Sequence, residues 1–276
     1  MAMKLKEALA SLLSENELQL LVRGYDVVGD IAIIIVPQGL EKREQVIAAA
    51  ILANNPNIKV VAKRAAHYYG EFRTLPITII GGEDRRETEV REFGIRLRLD
   101  VEKVYFSIRS GNERRRIASL VQPGENVLVL FSGIAPYPLM ISRYSLAKKI
   151  VGIEKNPVAH DFALLNLKLN RKLKNIELLQ GDVGDLLPRF SSEFDRVIMV
   201  LPKSAEDFLE AALQVVKPGG YLHFYDMQNN DSFGESVAKV RAACESVKRS
   251  LLAVDVTACG HCSPRTYRIC VDGLIS

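Results

Sequence analysis

The hydrophobic pattern of the first third of the chain comes in short, interrupted pieces. From Tyr25 to Pro37 the sequence YDVVGDIAIIIVP sets an apolar run on each side of Gly29-Asp30, which predicts two strands joined by a tight turn. Lys42 to Asn54 (KREQVIAAAILAN) carries apolar residues at helical spacing and runs into Asn54-Asn55-Pro56, a helix stop. Val60 to Lys63, Ile77 to Ile80, Glu87 to Phe93 and Ile95 to Leu99 are strand candidates divided by Gly, Pro and charge clusters. Ahead of them, MAMKLKEALASLLSENELQLL reads as one amphipathic helix. After Gln122-Pro123-Gly124-Glu125 the pattern changes: strand VLVLF, a Gly/Pro turn and helix, strand IVGI ending in Glu154, helix Asn156 to Leu169, then strand Ile176 to Leu179. Strand Arg196 to Val200, helix Ala205 to Val216 and strand Tyr221 to Tyr225 continue the alternation, which specifies βαβ units and a doubly wound parallel sheet. LLAVDVTACG and TYRICVDGLI add two strands, an antiparallel end to that sheet. The predicted architecture is α/β, with a smaller α+β domain over residues 1–116, including a linker helix, ahead of the doubly wound domain over 117–276.

Composition narrows the class. With 48% hydrophobic and 25% charged residues the chain is ordinary globular material, which excludes a disordered, collagen-like or coiled-coil protein. Lys plus Arg (37) exceed Asp plus Glu (33) by four, so a nucleic-acid partner has to be argued from where the cations lie. No apolar run approaches the ~18 residues of a membrane span, and no signal peptide is visible. Four cysteines in 276 residues do not make a disulfide framework. A cytoplasmic protein without membrane contact is expected, as a monomer.

In a doubly wound sheet, ligands bind outside the carboxyl ends of the strands at the topological switch point, so the loops after VLVLF, VGIE, ELLQGD and VIMVLP should share one crevice. The first, Phe131 to Tyr137 (FSGIAPY), has Gly133 for close backbone approach, but Ala135 stands where a dinucleotide fingerprint would have a second glycine. Glu154 sits at the second strand tip, where an acid accepts from ribose hydroxyls; a carboxylate at the helix N-terminus of Asn156-Pro157 is the alternative. Asp182 at the third strand tip suits an adenine amine, or else a helix N-cap. Leu201 to Ala205 (LPKSA) follows the fourth strand. Together these features are the layout of an S-adenosylmethionine-dependent transferase, since a nicotinamide enzyme would need the missing glycine fingerprint.

The residues also resemble a family, the archaeal and eukaryotic tRNA (guanine-37 N1)-methyltransferases with their relative, the wybutosine-pathway aminocarboxypropyl transferase. The resemblance runs from Tyr25 to Ile275 and rests on YDVVGDIAII, GEFR (Gly70 to Arg73), DVEKVYFSIRSGNERRRIA, FSGIAP, GIEKNPVA, GDV, FDRVIMVLPKSA and GGYLHFY. It implies a Rossmann-like class I S-adenosylmethionine-dependent methyltransferase domain and tRNA as partner. It further implies that Glu113 is the general base and Arg73 the stabiliser of charge on the target guanine. The cofactor site would take Phe131, Gly133, Pro136, Glu154, Lys155, Asn156, Asp182, Val183, Leu201 and Pro202, and tRNA would meet Tyr105, Arg109, Arg114, Arg115, Val200 and Lys203. Guanine N1 carries a proton, so its attack on a sulfonium methyl needs a base, and charge then grows on the neighbouring carbonyl oxygen. Read without the family, Arg73 is a surface ion-pair partner and Glu113 pairs with an Arg on its own helix.

This sequence departs from the family in three respects. Val129 replaces the usual first-strand acid and Ala135 the second loop glycine; Val200 stands where Asn usually precedes Leu-Pro; and the separate N-terminal tRNA-corner domain is not expected. Arg109 and Leu201-Pro202 favour methyl over aminocarboxypropyl transfer, whereas the short length points the other way. A tRNA-binding protein without catalysis is the reading from another class, with Val200 and Val129 as its signs. The segment Arg109, Arg114, Arg115, Arg116 and the run Lys168, Arg171, Lys172, Lys174 are candidate phosphate contacts. Cys259-Gly260-His261-Cys262 looks like half of a metal site with no second half, so no metal is expected.

Overall fold

The computed structural model describes residues 5–22, 24–201 and 204–276. The chain divides into two compact units, Met1–Ile108 and Arg109–Ser276.

The first unit begins with two short helices, α1 (Leu5–Ala8) and α2 (Glu15–Leu20), where the sequence pattern suggested one. Ser14 explains the break: it is an N-cap, its side chain accepting from the Glu17 N–H while the Glu17 carboxylate accepts from the Ser14 N–H, so a new helix starts there. Strands β1 (Asp26–Val28) and β2 (Ile31–Ile34) form the expected hairpin. Its turn needs a glycine, because Gly29 has φ +60° and a Cβ there would come within 2.0 Å of Thr88 Oγ1. Helix α3 (Glu44–Asn54) crosses to β3 (Val60–Arg64), which runs parallel to β2 and antiparallel to β4 (Ile77–Gly82). Ile47, Ala48 and Ile51 of α3 close a core with Ala32, Ile34 and Val61 of the sheet. Strands β5 (Glu87–Glu92) and β6 (Ile95–Asp100) make a separate hairpin.

The second unit opens with α4 (Gly111–Leu120). Then follow β7 (Asn126–Leu130), α5 (Pro136–Tyr144), β8 (Lys149–Glu154), α6 (Pro157–Leu169), β9 (Ile176–Gln180), α7 (Val183–Leu186) and β10 (Phe194–Met199). The chain continues with α8 (Leu209–Val215), β11 (Val216–Asn229), α9 (Phe233–Ser246), β12 (Leu251–His261) and β13 (Thr266–Ile275). The sheet order is β12-β13-β11-β10-β7-β8-β9. Strands β7 to β11 pair in parallel and β13 is antiparallel to both its neighbours. The strand order therefore reverses beside β7, between β10 and β8, and the carboxyl ends of these three strands carry the loops expected to bind a ligand. The central strands are apolar throughout because helices cover both faces; Leu128, Leu130, Val151, Ile153, Val197 and Met199 are all fully buried. Val129 is likewise buried, so the residue in place of the family's acid is part of the sheet core. No described helix is long and apolar enough to cross a membrane.

Candidate active site

The loop after β7 holds an uncommon backbone. Phe131 (φ +59°), Gly133 (φ +56°) and Ala135 (φ +66°) are all left-handed, a conformation that costs a non-glycine residue about 1 kcal/mol or more. Ala135 thus occupies a glycine's conformation, which is what its replacement of the family glycine looks like in three dimensions. The surroundings impose it: Ile134 and Ala135 are fully buried, and the buried Asn166 side chain of α6 donates to the Ile134 carbonyl at 3.1 Å. Pro136 then starts α5, where its missing N–H is harmless.

Across from this loop, the main-chain N–H groups of Gly133 and Asn156 each donate to Glu154 at 2.7 Å, one to each carboxylate oxygen. Burial pushes the Glu154 carboxyl up, and hydrogen bonds from the N–H groups of Asn156, Gly133 and Lys155 pull against it. A carboxylate has about four acceptor positions. One remains after these three donors, so the group can still accept from a hydroxyl. Asn156 caps α6, its Oδ1 accepting from Val158 and Ala159. Asp182 caps α7 through Gly184 and pairs with Lys155 Nζ at 2.8 Å, which holds its carboxyl below the usual range. The helix-cap alternative for Asp182 is therefore present in the structure, with a lysine added. Val183 is buried in the core, Phe131 meets Phe208 edge-on at 5.4 Å, and Leu201 is half-buried against the same core. Val200 directly follows β10; Pro202 and Lys203 lie outside the described residues.

Glu113 is buried, at 6% exposure, in α4. Arg116, one turn on, grips it with both arms: Nε donates to Oε2 at 2.8 Å and Nη2 to Oε1 at 2.7 Å. Tyr225 Oη also donates to Oε1, and itself accepts from Tyr137 Oη at 3.1 Å. The same-helix pairing is thus realised, but in a buried setting that a surface ion pair does not have. The Arg116 guanidinium reaches on to Asp272 (2.7 Å), Asp272 to His223 Nδ1 (2.5 Å), and His223 Nε2 to Arg196 Nη1 (2.6 Å), which holds Glu125. The sequence reading passed over this array. One signal was available: Asp272 is the one carboxylate of a largely apolar strand, and it lies opposite His223 in the β11–β13 register.

His223, Cys270 and Asp272 have donor atoms within 4.8 Å of one another, but they do not suit a cation. Arg196 can only donate, so His223 Nε2 accepts and Nδ1 carries the proton that goes to Asp272. Nδ1 has no lone pair left for a metal, and the Arg116 guanidinium already neutralises the carboxylate.

In the first unit, Arg73 closes a four-residue turn, its N–H donating to Gly70 O at 3.1 Å, with Tyr69 and Thr74 paired across the turn's base. It is left-handed at φ +51°. Its guanidinium lies 4.5 Å from the centroid of the Tyr105 ring, which meets Tyr68 edge-on at 5.4 Å. Arg73 Nη1 is buried without a hydrogen-bond partner. An orphaned buried donor costs about 1–3 kcal/mol. Such a donor, held by stacking in a strained turn, is suited to receive an acceptor from outside, and this favours the functional reading of Arg73 over a surface ion pair.

The basic segment is less exposed than its sequence suggests. Arg114 is only 2% exposed, Arg116 is committed to carboxylates, and the Arg115 guanidinium stacks 3.2 Å from the centroid of Tyr144. Arg109 is exposed and makes contacts of its own. Helical periodicity turns Glu113 and Arg114 to the same buried face as Ile117 and Ala118, which a linear run of charge does not display.

Comparison with known proteins places this geometry. The TRM5/TYW2 methyltransferase domain matches residues 88–252 and the TYW2 N-terminal domain residues 5–85. The chain is 34% identical over 253 residues to tRNA (guanine(37)-N(1))-methyltransferase Trm5b of Pyrococcus abyssi, covering 91% of this chain and 74% of that protein. It is 32% identical over 251 residues to tRNA 4-demethylwyosine(37)-methyltransferase Taw21 of Saccharolobus solfataricus, covering 90% of this chain and 92% of that one. Among solved structures, Trm5b from Pyrococcus abyssi superposes with a TM-score of 0.87 at 33% identity, over 96% of this chain and 79% of that one. The strand order with its reversed β13, the loop and acid at the switch point, and the matched domain agree: the chain belongs to the TRM5/TYW2 methyltransferase family.

Proposed function

We propose that the protein is an S-adenosylmethionine-dependent tRNA methyltransferase acting on N1 of guanosine 37. The observation that carries this reading is the 34% identity to a tRNA (guanine(37)-N(1))-methyltransferase across 91% of the chain. The switch-point residues fit the cofactor, since Glu154 keeps acceptor capacity beyond its main-chain donors. When bound, S-adenosylmethionine supplies a methyl group on a sulfonium, open to attack by a nucleophilic nitrogen. Glu154 would hold the cofactor by accepting from a ribose hydroxyl, with the left-handed Phe131 to Ala135 turn beside it.

Glu113 removes the N1 proton. Its Oε2 accepts from Arg116 Nε alone among the described hydrogen bonds, so one acceptor position on that oxygen is available to the base. The unpaired Nη1 of Arg73 donates to the carbonyl oxygen on which charge develops. Tyr105, which stacks under Arg73, holds that guanidinium in place, and Arg109 and Arg115 contact the tRNA. The chain acts as a monomer with no metal.

Incubation with unmodified tRNA and cofactor labelled separately on the methyl and on the aminocarboxypropyl carbons, followed by nucleoside mass spectrometry, tests the reaction. Methyl label in 1-methylguanosine at position 37 is expected; aminocarboxypropyl label would replace the reading with its relative's chemistry. A second reading is methylation of 4-demethylwyosine at the same position. It is favoured by the near full-length match to the Saccharolobus solfataricus protein and by Val200, an apolar residue where Asn would offer a hydrogen-bonding edge to guanine. tRNA carrying that base, in the same assay, separates the two.

Glu154→Gln is expected to weaken cofactor binding about 10- to 100-fold by calorimetry, the range for a hydrogen bond to a charged acceptor. The wild-type affinity should also fall as pH drops through the raised Glu154 pKa, because protonation removes an acceptor, while the variant stays flat. A wild-type affinity independent of pH would remove Glu154 from the ribose role.

A further inference from the structure

The buried array around Glu113 has an arithmetic that bears on its proton. In the hydrogen-bonded chain Glu113, Arg116, Asp272, His223, Arg196 and Glu125, the imidazole is neutral, because Arg196 fixes its Nε2 as an acceptor and burial disfavours its charge. That leaves three carboxylates against two guanidiniums. Arg196 belongs to Glu125, held by Nε at 2.8 Å and Nη2 at 3.0 Å. Arg116 is shared between Asp272 and Glu113.

The sharing is unequal. Asp272 has three further donors: the His223 Nδ1–H, the Cys270 thiol at 3.1 Å and the Thr257 hydroxyl at 3.4 Å. Burial pushes its carboxyl up, but the His223 and Arg116 contacts outweigh that and hold it well below the usual range. Protons are therefore unwelcome on Asp272. Glu113 has Arg116, the Tyr225 phenol and the Cys259 thiol of β12 beside it, the last two being neutral donors, and it also faces Tyr137 of α5 and Cys270 of β13, which carry no charge. The Cys259 thiol is pushed up to about 12 by burial and by that carboxylate, so it stays neutral. The remaining nearby cations are Arg114, on the same helix, and Arg268 of β13, which is directed to Ser110 Oγ (2.6 Å) and the Cys259 carbonyl (3.1 Å).

We propose that Asp272, fixed by His223, is a positioning residue that draws the Arg116 charge away from Glu113 and so sets Glu113 as the carboxylate that accepts the substrate proton. A guanidinium given wholly to one carboxylate weakens it as a base, and burial of a carboxylate without any guanidinium disfavours its charged form. Arg116 shared with Asp272 lies between these limits. The inference rests on the base role of Glu113 proposed above.

The test is the pH dependence of single-turnover methyl transfer to tRNA by the full chain, in two variants with opposite predicted signs. Asp272→Asn returns Arg116 to Glu113 and should move the acid limb about one pH unit down while lowering the plateau about 10-fold or more. Arg116→Lys keeps the charge but loses the fork that grips Glu113. Its limb should move up. Cofactor affinity by calorimetry should stay within about 2-fold of wild type in both, because neither residue touches the Glu154 loop. A purely structural role for Asp272 predicts a lower folded fraction and an unmoved limb in Asp272→Asn, and that result overturns the proposal. If Asp272→Asn does not fold, Asp272→Ser, which also removes the carboxylate, takes its place, with the same downward shift expected and an unmoved limb overturning the proposal. Should Glu113→Gln transfer methyl at the wild-type rate, the base reading itself has failed; if Glu113→Gln is inactive but the limbs do not move, only the role of Asp272 has.

Discussion

Glu113→Gln should lower single-turnover methyl transfer by about 10²- to 10⁴-fold, the range for loss of a general base. Cofactor affinity should be unchanged. The amide keeps the side chain's shape and can still accept from Tyr225 and Arg116, so the first consequence is chemical: guanine N1 keeps its proton and cannot attack. Stability should fall as well, since a guanidinium that had two carboxylates is left with Asp272 alone. Thermal unfolding run beside the kinetics keeps the two effects apart. Equal losses in turnover and in cofactor binding would take Glu113 out of the base role.

Arg73→Ala should cost about 10²- to 10³-fold in the rate of the bound complex, as removal of a donor aimed at developing negative charge does. The protein should lose little stability. Arg73 Nη1 makes no hydrogen bond within the described residues, and the removed guanidinium had only its stacking on Tyr105 to give, about 0.5–2 kcal/mol. A small residue also relieves none of the left-handed backbone at φ +51°, so the turn keeps its shape. Arg73→Lys is the sharper comparison, because it preserves charge and loses the planar fork. Wild-type rates in both variants would return Arg73 to the role of a surface cation.

The fold was legible to the extent that its elements have local causes. The Gly29-Asp30 hairpin, the α3 stop at Asn54-Asn55 and the alternation from β7 onward follow from turn residues and periodicity within about 15 residues. The break between α1 and α2 was also local, and the Ser14–Glu17 capping box that causes it was there to be read. The switch-point residues Gly133 and Glu154 could be placed because strand tips converge in any doubly wound sheet. What sequence did not show was partnership at long range. Glu113 and Asp272 are separated by most of the second unit and meet only through Arg116, and nothing in RICVDGLI announces a guanidinium beside its aspartate. Burial was hidden in the same way. ERRR reads as four charges in a row, but the helix turns Glu113 and Arg114 inward. Arg73 was assigned through its motif alone; its orphaned nitrogen is a property of three-dimensional packing.

The reversed strand has a kinetic consequence. Strand β12 reaches the sheet only through β13, its partner in a hairpin closed over four residues, so β12 and β13 can pair with each other before either meets β11. Hairpins of this kind close in about microseconds, whereas docking one against a parallel sheet of high contact order is slower. Asp272 and Cys259 both ride on that hairpin. A chain caught with β7 to β11 assembled and the hairpin undocked would already own Gly133 and Glu154 at the strand tips, but its Glu113 would face Arg116 with no rival carboxylate. Such a partly folded species should hold the methyl donor and be unable to use it, so cofactor retention is a poor assay of completed folding for this protein, and turnover is the faithful one.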